Sequence, residues 1–142
     1  MLSADEIRSN LGHFHCTTQY HRVNLISKMI CTDGVFWLLQ NAEAHWLFDA
    51  IASYQPQVNK IPDLRDFQVW ILSVGGREHD DNPKHPFLMP EENNRAVLTC
   101  WYDTPNEGVK PVVKQAISYS DFPLSEIRLY VESGVLLLPS EH

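Results

Sequence analysis

From Val35 to Tyr54 the chain runs for twenty residues, VFWLLQNAEAHWLFDAIASY, without a proline. Apolar side chains at Val35, Leu39, Ala42, Trp46 and Ala50 recur at intervals of three and four, and Phe36, Leu38, Leu47 and Ile51 widen the stripe. That period is the signature of an amphipathic helix. Thr32 and Asp33 offer a helix start, and Pro56 closes the run. A helix of about twenty residues is about 30 Å long and crosses a whole small domain. So much apolar surface needs cover from a sheet and at least one further segment. The polar positions Asn41, His45 and Asp49 fall four apart and form one narrow exposed seam.

The remaining segments supply that sheet. Residues 67–74, FQVWILSV, are nearly all apolar and predict a strand covered on both faces. AVLTCWY at 96–102 and PVVKQAISY at 111–119 predict two more, and EIRLYVE-SG-VLLLP predicts a hairpin turning at Ser133-Gly134. Strands that follow one another through turns, with no helix between, pair antiparallel. Near the start, Ser3 followed by Asp5 and Glu6 predicts a short helix ending near Gly12. Thr17 or Thr18 offers a cap for a further helical turn through Tyr20 and Val23, while Leu25–Cys31 fits a strand or the end of that turn equally well. Residues 75–94, with paired glycines, three prolines and several acids, predict a long variable loop. The fold class is α+β: one domain, 1–142, with a long amphipathic helix packed on an antiparallel sheet of about four to six strands.

Composition narrows the function classes. A 142-residue chain with 44% hydrophobic and 20% charged residues has enough apolar material for one core without staples. A net charge of −7 repels phosphates and disfavours direct nucleic-acid binding, yet suits a basic protein surface, including one that itself holds nucleic acid. Three cysteines, Cys16, Cys31 and Cys100, without CxxC spacing fit a reducing, cytoplasmic setting. The N-terminal residues lack a basic region followed by an apolar run, and no stretch is long enough to cross a membrane.

Candidate sites are sparse. His13, His15 and Cys16, with His21 nearby, carry zinc-ligating chemistry but no CxxC or HxxxH frame, and fit a local loop with one buried cysteine and surface imidazoles. His45 and Asp49 at i and i+4, with Asn41, could orient a base, although a solvated stripe accounts for them as well. Within the long loop, His79, Asp80, Asp81 and His85 carry ion-binding groups without a recognised cage, and Phe87, Leu88 and Met89 form an apolar tip amid Glu91 and Glu92. Such a tip suits a partner-binding anchor, and it also suits tucking into the core. Cys100 lies in an apolar strand as an inert core thiol, or as one half of a Cys–His pair. Ser120-Asp121-Phe122-Pro123 predicts a corner in which Asp121 bonds its own backbone. The four tryptophans predict core positions. No phosphate-binding, dinucleotide-binding or nucleophile-elbow motif occurs, so no catalytic residue, metal or cofactor is expected.

Several segments resemble a family of small bacterial, plasmid and phage proteins grouped only as a domain of unknown function. They are TQYH (18–21), TDGVFWL (32–38), HWLFDAIASYQ (45–55), LRDFQVW (64–70), AVLTCWYD (96–103) and SDFPLSEIRLYVESGVLLLPSEH (120–142). Tyr20-His21 stands where the family pattern carries an aromatic pair, and 75–94 resembles an enlargement. The resemblance brings no activity and no catalytic residue; it implies a setting among mobile elements, where inhibitors of host defence are common. The expected function is therefore a non-enzymatic acidic protein-binding module, in its sharpest form an inhibitor of a CRISPR-like complex. The alternatives are a small metal-dependent hydrolase using the N-terminal histidines and a structural homodimer. A protein partner at His79, Asp80, Asp81, Phe87, Leu88, Met89, Glu91, Glu92, Asn41, His45 and Asp49 is the corresponding site expectation.

Overall fold

The computed structural model describes residues 2–23, 27–75, 86–90, 95–106 and 108–142. Within them the chain forms α1 (Ala4–Leu11), β1 (Tyr20–His21), β2 (Ile30–Thr32), α2 (Asp33–Asn41), α3 (His45–Val58), α4 (Pro62–Asp66), β3 (Phe67–Val74), β4 (Ala96–Trp101), β5 (Val113–Ile117), β6 (Glu126–Glu132) and β7 (Val135–Leu137), with two 3₁₀ turns at Pro86–Leu88 and Pro139–Glu141. The strands make one seven-stranded sheet in the order β1-β2-β7-β6-β3-β4-β5. The fold is thus α+β, as the pattern predicts, but the sheet is mixed: β2 pairs parallel to β7, with Ile30 opposite Val135. Parallel neighbours need a long connection, and here it is everything between residues 32 and 135. The sheet has one strand more than the expected four to six. Strands β1 and β2 span two and three residues, and of the Leu25–Cys31 alternative Ile30 and Cys31 lie in β2, while Leu25 and Ile26 lie outside the described residues. No helical turn forms through Tyr20 and Val23, because Tyr20 and His21 pair with Thr32 and Cys31 instead.

The single long helix is replaced by two. Residue Glu43 adopts φ 51°, the N–H of Ala44 donates to Leu39 O, and that of Ala42 donates to Leu38 O. The six-to-one bond across a left-handed residue is the Schellman stop, made here without the glycine that normally announces it. The break lets α2 and α3 both lay apolar faces on the sheet, and Ala42 and Ala44 at the joint are buried. The seam of Asn41, His45 and Asp49 is therefore divided: Asn41 ends α2 and its Nδ2 donates to Trp37 O, while His45 and Asp49 remain exposed on α3. Pro56 does not end α3 but lies inside it. The predicted caps do form: Ser3 Oγ accepts from Glu6 N, and Thr32 Oγ1 from Val35 N.

Central strand β3 is paired by β6 on one edge and β4 on the other, and residues 68–74 are all buried. On one face Trp70, Leu72, Val74, Leu98, Cys100, Leu129 and Val131 meet the helices around Leu38, Leu47, Phe48 and Ile51. On the other, Val69, Ile71 and Trp101 are covered by Leu88, with Phe67, Phe87 and Tyr130 beside them. Each buried indole finds its hydrogen-bond partner two residues back on its own face: Trp70 Nε1 donates to Gln68 Oε1 at 2.7 Å, and Trp101 Nε1 to Thr99 Oγ1 at 2.7 Å. Trp37 and Trp46 are only half-buried. The β6–β7 hairpin turns at Ser133 and Gly134, with φ 50° and 83°, as a two-residue loop of this composition requires. At the 120–123 corner it is Ser120 Oγ, not Asp121, that accepts from the backbone, from Phe122 N at 3.2 Å.

A left-handed conformation costs a non-glycine residue roughly 1–2 kcal/mol. Glu43→Gly is expected to raise stability by about 0.5–1 kcal/mol in urea unfolding, and Glu43→Val to lower it. Two unchanged midpoints would mean that the α2–α3 joint is not strained.

Candidate functional site

The densest polar cluster gathers at the N-terminus of α2. The Asp33 side chain accepts from Thr18 N at 2.8 Å and Thr18 Oγ1 at 2.9 Å through Oδ2, while Oδ1 lies 2.7 Å from His21 Nε2. The His21 ring in turn stacks on Phe36, centroids 4.2 Å apart and planes 8° apart. From the C-terminal turn, Glu141 Oε1 accepts from Thr32 Oγ1 at 2.6 Å and Leu138 N at 3.2 Å, and Oε2 accepts from Gly34 N at 3.2 Å. Two carboxylates thus meet the positive end of one helix. A Cβ on Gly34 would stand 2.6 Å from Leu138 Cδ1 and 2.7 Å from Glu141 Oε1, so a larger residue there would have to push both side chains aside and disturb the Glu141 contacts. Every polar group in the cluster answers another, which marks it as a clamp between β1, α2 and the C-terminal turn.

The N-terminal histidines do not converge. His13, His15 and Cys16 are exposed, whereas His21 is drawn into the clamp. Cys16 is accordingly not the buried cysteine of the loop expectation; the buried thiols are Cys31 and Cys100. Among the described residues no group of three or more His, Cys, Asp and Glu side chains could hold a metal ion. Burial pushes the Cys100 thiol up to about 12. Burial first, and then the Glu141 and Asp33 carboxylates, push Cys31 up to about 12. Neither supplies a thiolate near neutral pH.

Of the expected partner-binding residues, His79, Asp80, Asp81, Glu91 and Glu92 lie outside the described residues, as does His85. The Phe87–Met89 tip divides: Leu88 is buried against Val69, Ile71 and Trp101, Phe87 is partly covered, and Met89 is 57% exposed. Tucking into the sheet thus accounts for Leu88, which is not free to anchor a partner.

A feature without a periodic signal lies at the sheet edge. Strand β5 pairs with β4 on one side, and among the described residues no strand pairs with it on the other. Lys114 is the side chain that would normally blunt such an edge, but its Nζ lies 5.4 Å from the Phe87 ring centroid, drawn onto the sheet face. Exposed apolar side chains stand at both ends of the strand: Tyr102 and Val109 before it, and Tyr119, 75% exposed, after it.

Two outcomes check this chemistry. Hydrogen bonds from His21 first, and then from Thr18, hold the Asp33 carboxyl well below the usual carboxylate range. A depressed folded-state value stabilises the fold above the unfolded value near 3.8 and is lost as pH falls through the folded one. The urea midpoint gap between wild type and Asp33→Asn is therefore expected to be full above about pH 5 and to shrink below about pH 4; a gap constant to about pH 2 contradicts the clamp. A thiol reagent is expected to modify Cys16 alone in the folded protein, with Cys31 and Cys100 reacting only in denaturant. Fast reaction of a second thiol contradicts the burial of the other two.

No helix among the described residues is long and apolar enough to cross a membrane. No curated protein matches the chain, and no solved structure matches it. A family model does match over residues 5–142, nearly the whole sequence, and its description is a family of unknown function, DUF6876. The chain belongs to that family.

Proposed function

We propose that this protein is a binding module without chemistry of its own, and that it engages an extended segment of a basic partner protein along the outer edge of β5. The observation that carries this is the edge itself, a five-residue strand that among the described residues is paired on one side and flanked by the exposed Tyr102, Val109 and Tyr119. Among the described residues no strand pairs with its other side, which offers the main-chain half of a strand-addition interface, and the flanking rings offer apolar contact for alternate side chains of the incoming strand. The net charge of −7 supplies the long-range attraction to a basic partner. In its sharpest form the partner is a nucleic-acid-holding defence complex of bacteria, whose basic channel an acidic module would compete for. That form is supported by the charge and by the resemblance to proteins of mobile elements.

Affinity capture from a bacterial lysate, at about 50 mM and about 500 mM salt, compares the wild type with the double variant Ala116→Lys/Tyr119→Asp. Both positions are exposed, so the fold is expected to survive. A basic protein held at low salt by the wild type, released at high salt and at least about tenfold depleted with the variant is the expected result. Equal retention by the variant removes β5 from the interface, and recovery of nothing at low salt counts against a binding role. A wild-type dimer in solution that the variant dissolves would give the edge to a second copy of the chain instead.

A further inference from the structure

A groove lies on the helical side of the sheet, between α3 and the segment that runs past Met29 to the β6–β7 turn at Gly134. In the sheet, β7 stands four positions from β5, so the groove is independent of the edge strand. Its volume of about 530 Å³ is that of a small-molecule site. One face of α3 forms its long wall, with Asp49, Ala52, Ser53 and Pro56 recurring at helical spacing.

Among the described residues, one backbone group and one side-chain group in this groove lack their ordinary partners. Pro56 stands inside α3 and has no N–H, so the carbonyl of Ala52 receives no helical hydrogen bond from it. Both residues line the groove. The second group is the amide of Asn59. An indole N–H can only donate, so the 2.7 Å bond from Trp70 Nε1 identifies the oxygen of Gln68. The Gln68 Nε2 must then donate its two hydrogens, to Leu64 O at 2.9 Å and Gln55 Oε1 at 3.0 Å, and it shares one of them with Asn59 Oδ1 at 3.3 Å. The oxygen of Asn59 therefore faces that donor, through the longest of the three contacts. Its Nδ2 has no acceptor among the described residues, and Asn59 lines the groove.

Among the described residues, the Ala52 carbonyl thus lacks the Pro56 donor and Asn59 Nδ2 lacks an acceptor, beside an apolar wall of Met29, Ala52 and Pro56. Lys28 and Asp49 contribute opposite charges to the same lining, which leaves the groove without a net sign and disfavours an ion. We propose that the groove binds a small neutral molecule carrying a peptide-type amide on an apolar body. The ligand carbonyl accepts from Asn59 Nδ2, the ligand N–H donates to the Ala52 carbonyl, and the apolar substituent covers Met29 and Pro56.

The test is a titration of the full ¹⁵N-labelled chain with N-acetyl-L-leucinamide, followed by amide chemical shifts. Saturable shifts centred on Met29, Ala52, Asn59 and Gly134 are expected. Ser53→Trp, a substitution at an exposed position on the groove wall, is expected to abolish them with the thermal midpoint unchanged. Asn59→Asp replaces the donor by an oxygen of the same shape and is expected to weaken binding about tenfold, the net worth of one hydrogen bond. No saturable shift up to about 20 mM, a concentration that would detect even millimolar binding, would overturn the proposal. So would shifts that persist in Ser53→Trp, or unchanged affinity in Asn59→Asp.

Discussion

A strand buried on both faces needs two covers, and β3 sets that requirement for the whole molecule. Its residues 68–74 are all buried, so the sheet cannot present one face to water as most antiparallel sheets do. Helices α2 and α3 supply one cover. The other is assembled from smaller pieces: Leu88 and Phe87 over Val69, Ile71 and Trp101, and the His142 ring packed edge-on against Phe67 at 5.3 Å and Tyr130 at 5.6 Å. That is why the chain leaves β3 at Gly75, comes back across the sheet at 86–88 and re-enters through Arg95, whose carbonyl accepts from Gly75 N at 2.8 Å. Polar side chains on the strand are tolerated because each is answered. Gln68 exchanges amide bonds with Gln55 of α3, both at 3.0 Å, and so joins sheet to helix across the core.

Periodicity made the large apolar elements legible before any coordinates. FQVWILSV, AVLTCWY and the Ser133-Gly134 hairpin form within a residue or two of where their patterns place them, because burial and turn geometry leave few alternatives for such segments. The α2–α3 break was not legible: Glu43 adopts φ 51° between two alanines, and a left-handed stop without glycine or asparagine leaves no compositional mark. Strand β1 was hidden for a different reason, and β2 was legible only as one of two alternatives for Leu25–Cys31. They are short and gain their place from β7 and the His21–Asp33 clamp, which are contacts distant in sequence. The Gln-x-Trp and Thr-x-Trp spacings at 68–70 and 99–101 were a usable signal, since a buried indole demands an acceptor and position i−2 on a strand shares its face.

Site legibility was poorer, and the cause is physical. Residue type announces chemistry, but convergence depends on the fold. The histidines that looked clustered, His13, His15 and His21, part company once His21 turns to Asp33 and stacks on Phe36. The edge of β5, open among the described residues, carries ordinary residues, Val-Lys-Gln-Ala-Ile, and its character comes from what pairs beside it. The same holds for the groove on α3, where a proline and an asparagine matter through the hydrogen bonds they leave unmade among the described residues.

Hydrogen exchange of the free protein, resolved amide by amide, probes the open edge most directly. Amides of 113–117 that face away from β4 should exchange as fast as those of an exposed turn, alternating with protected ones, while β3 exchanges slowest of all. Uniform protection along β5 would show that something already covers that side, and the binding role assigned to it would fall.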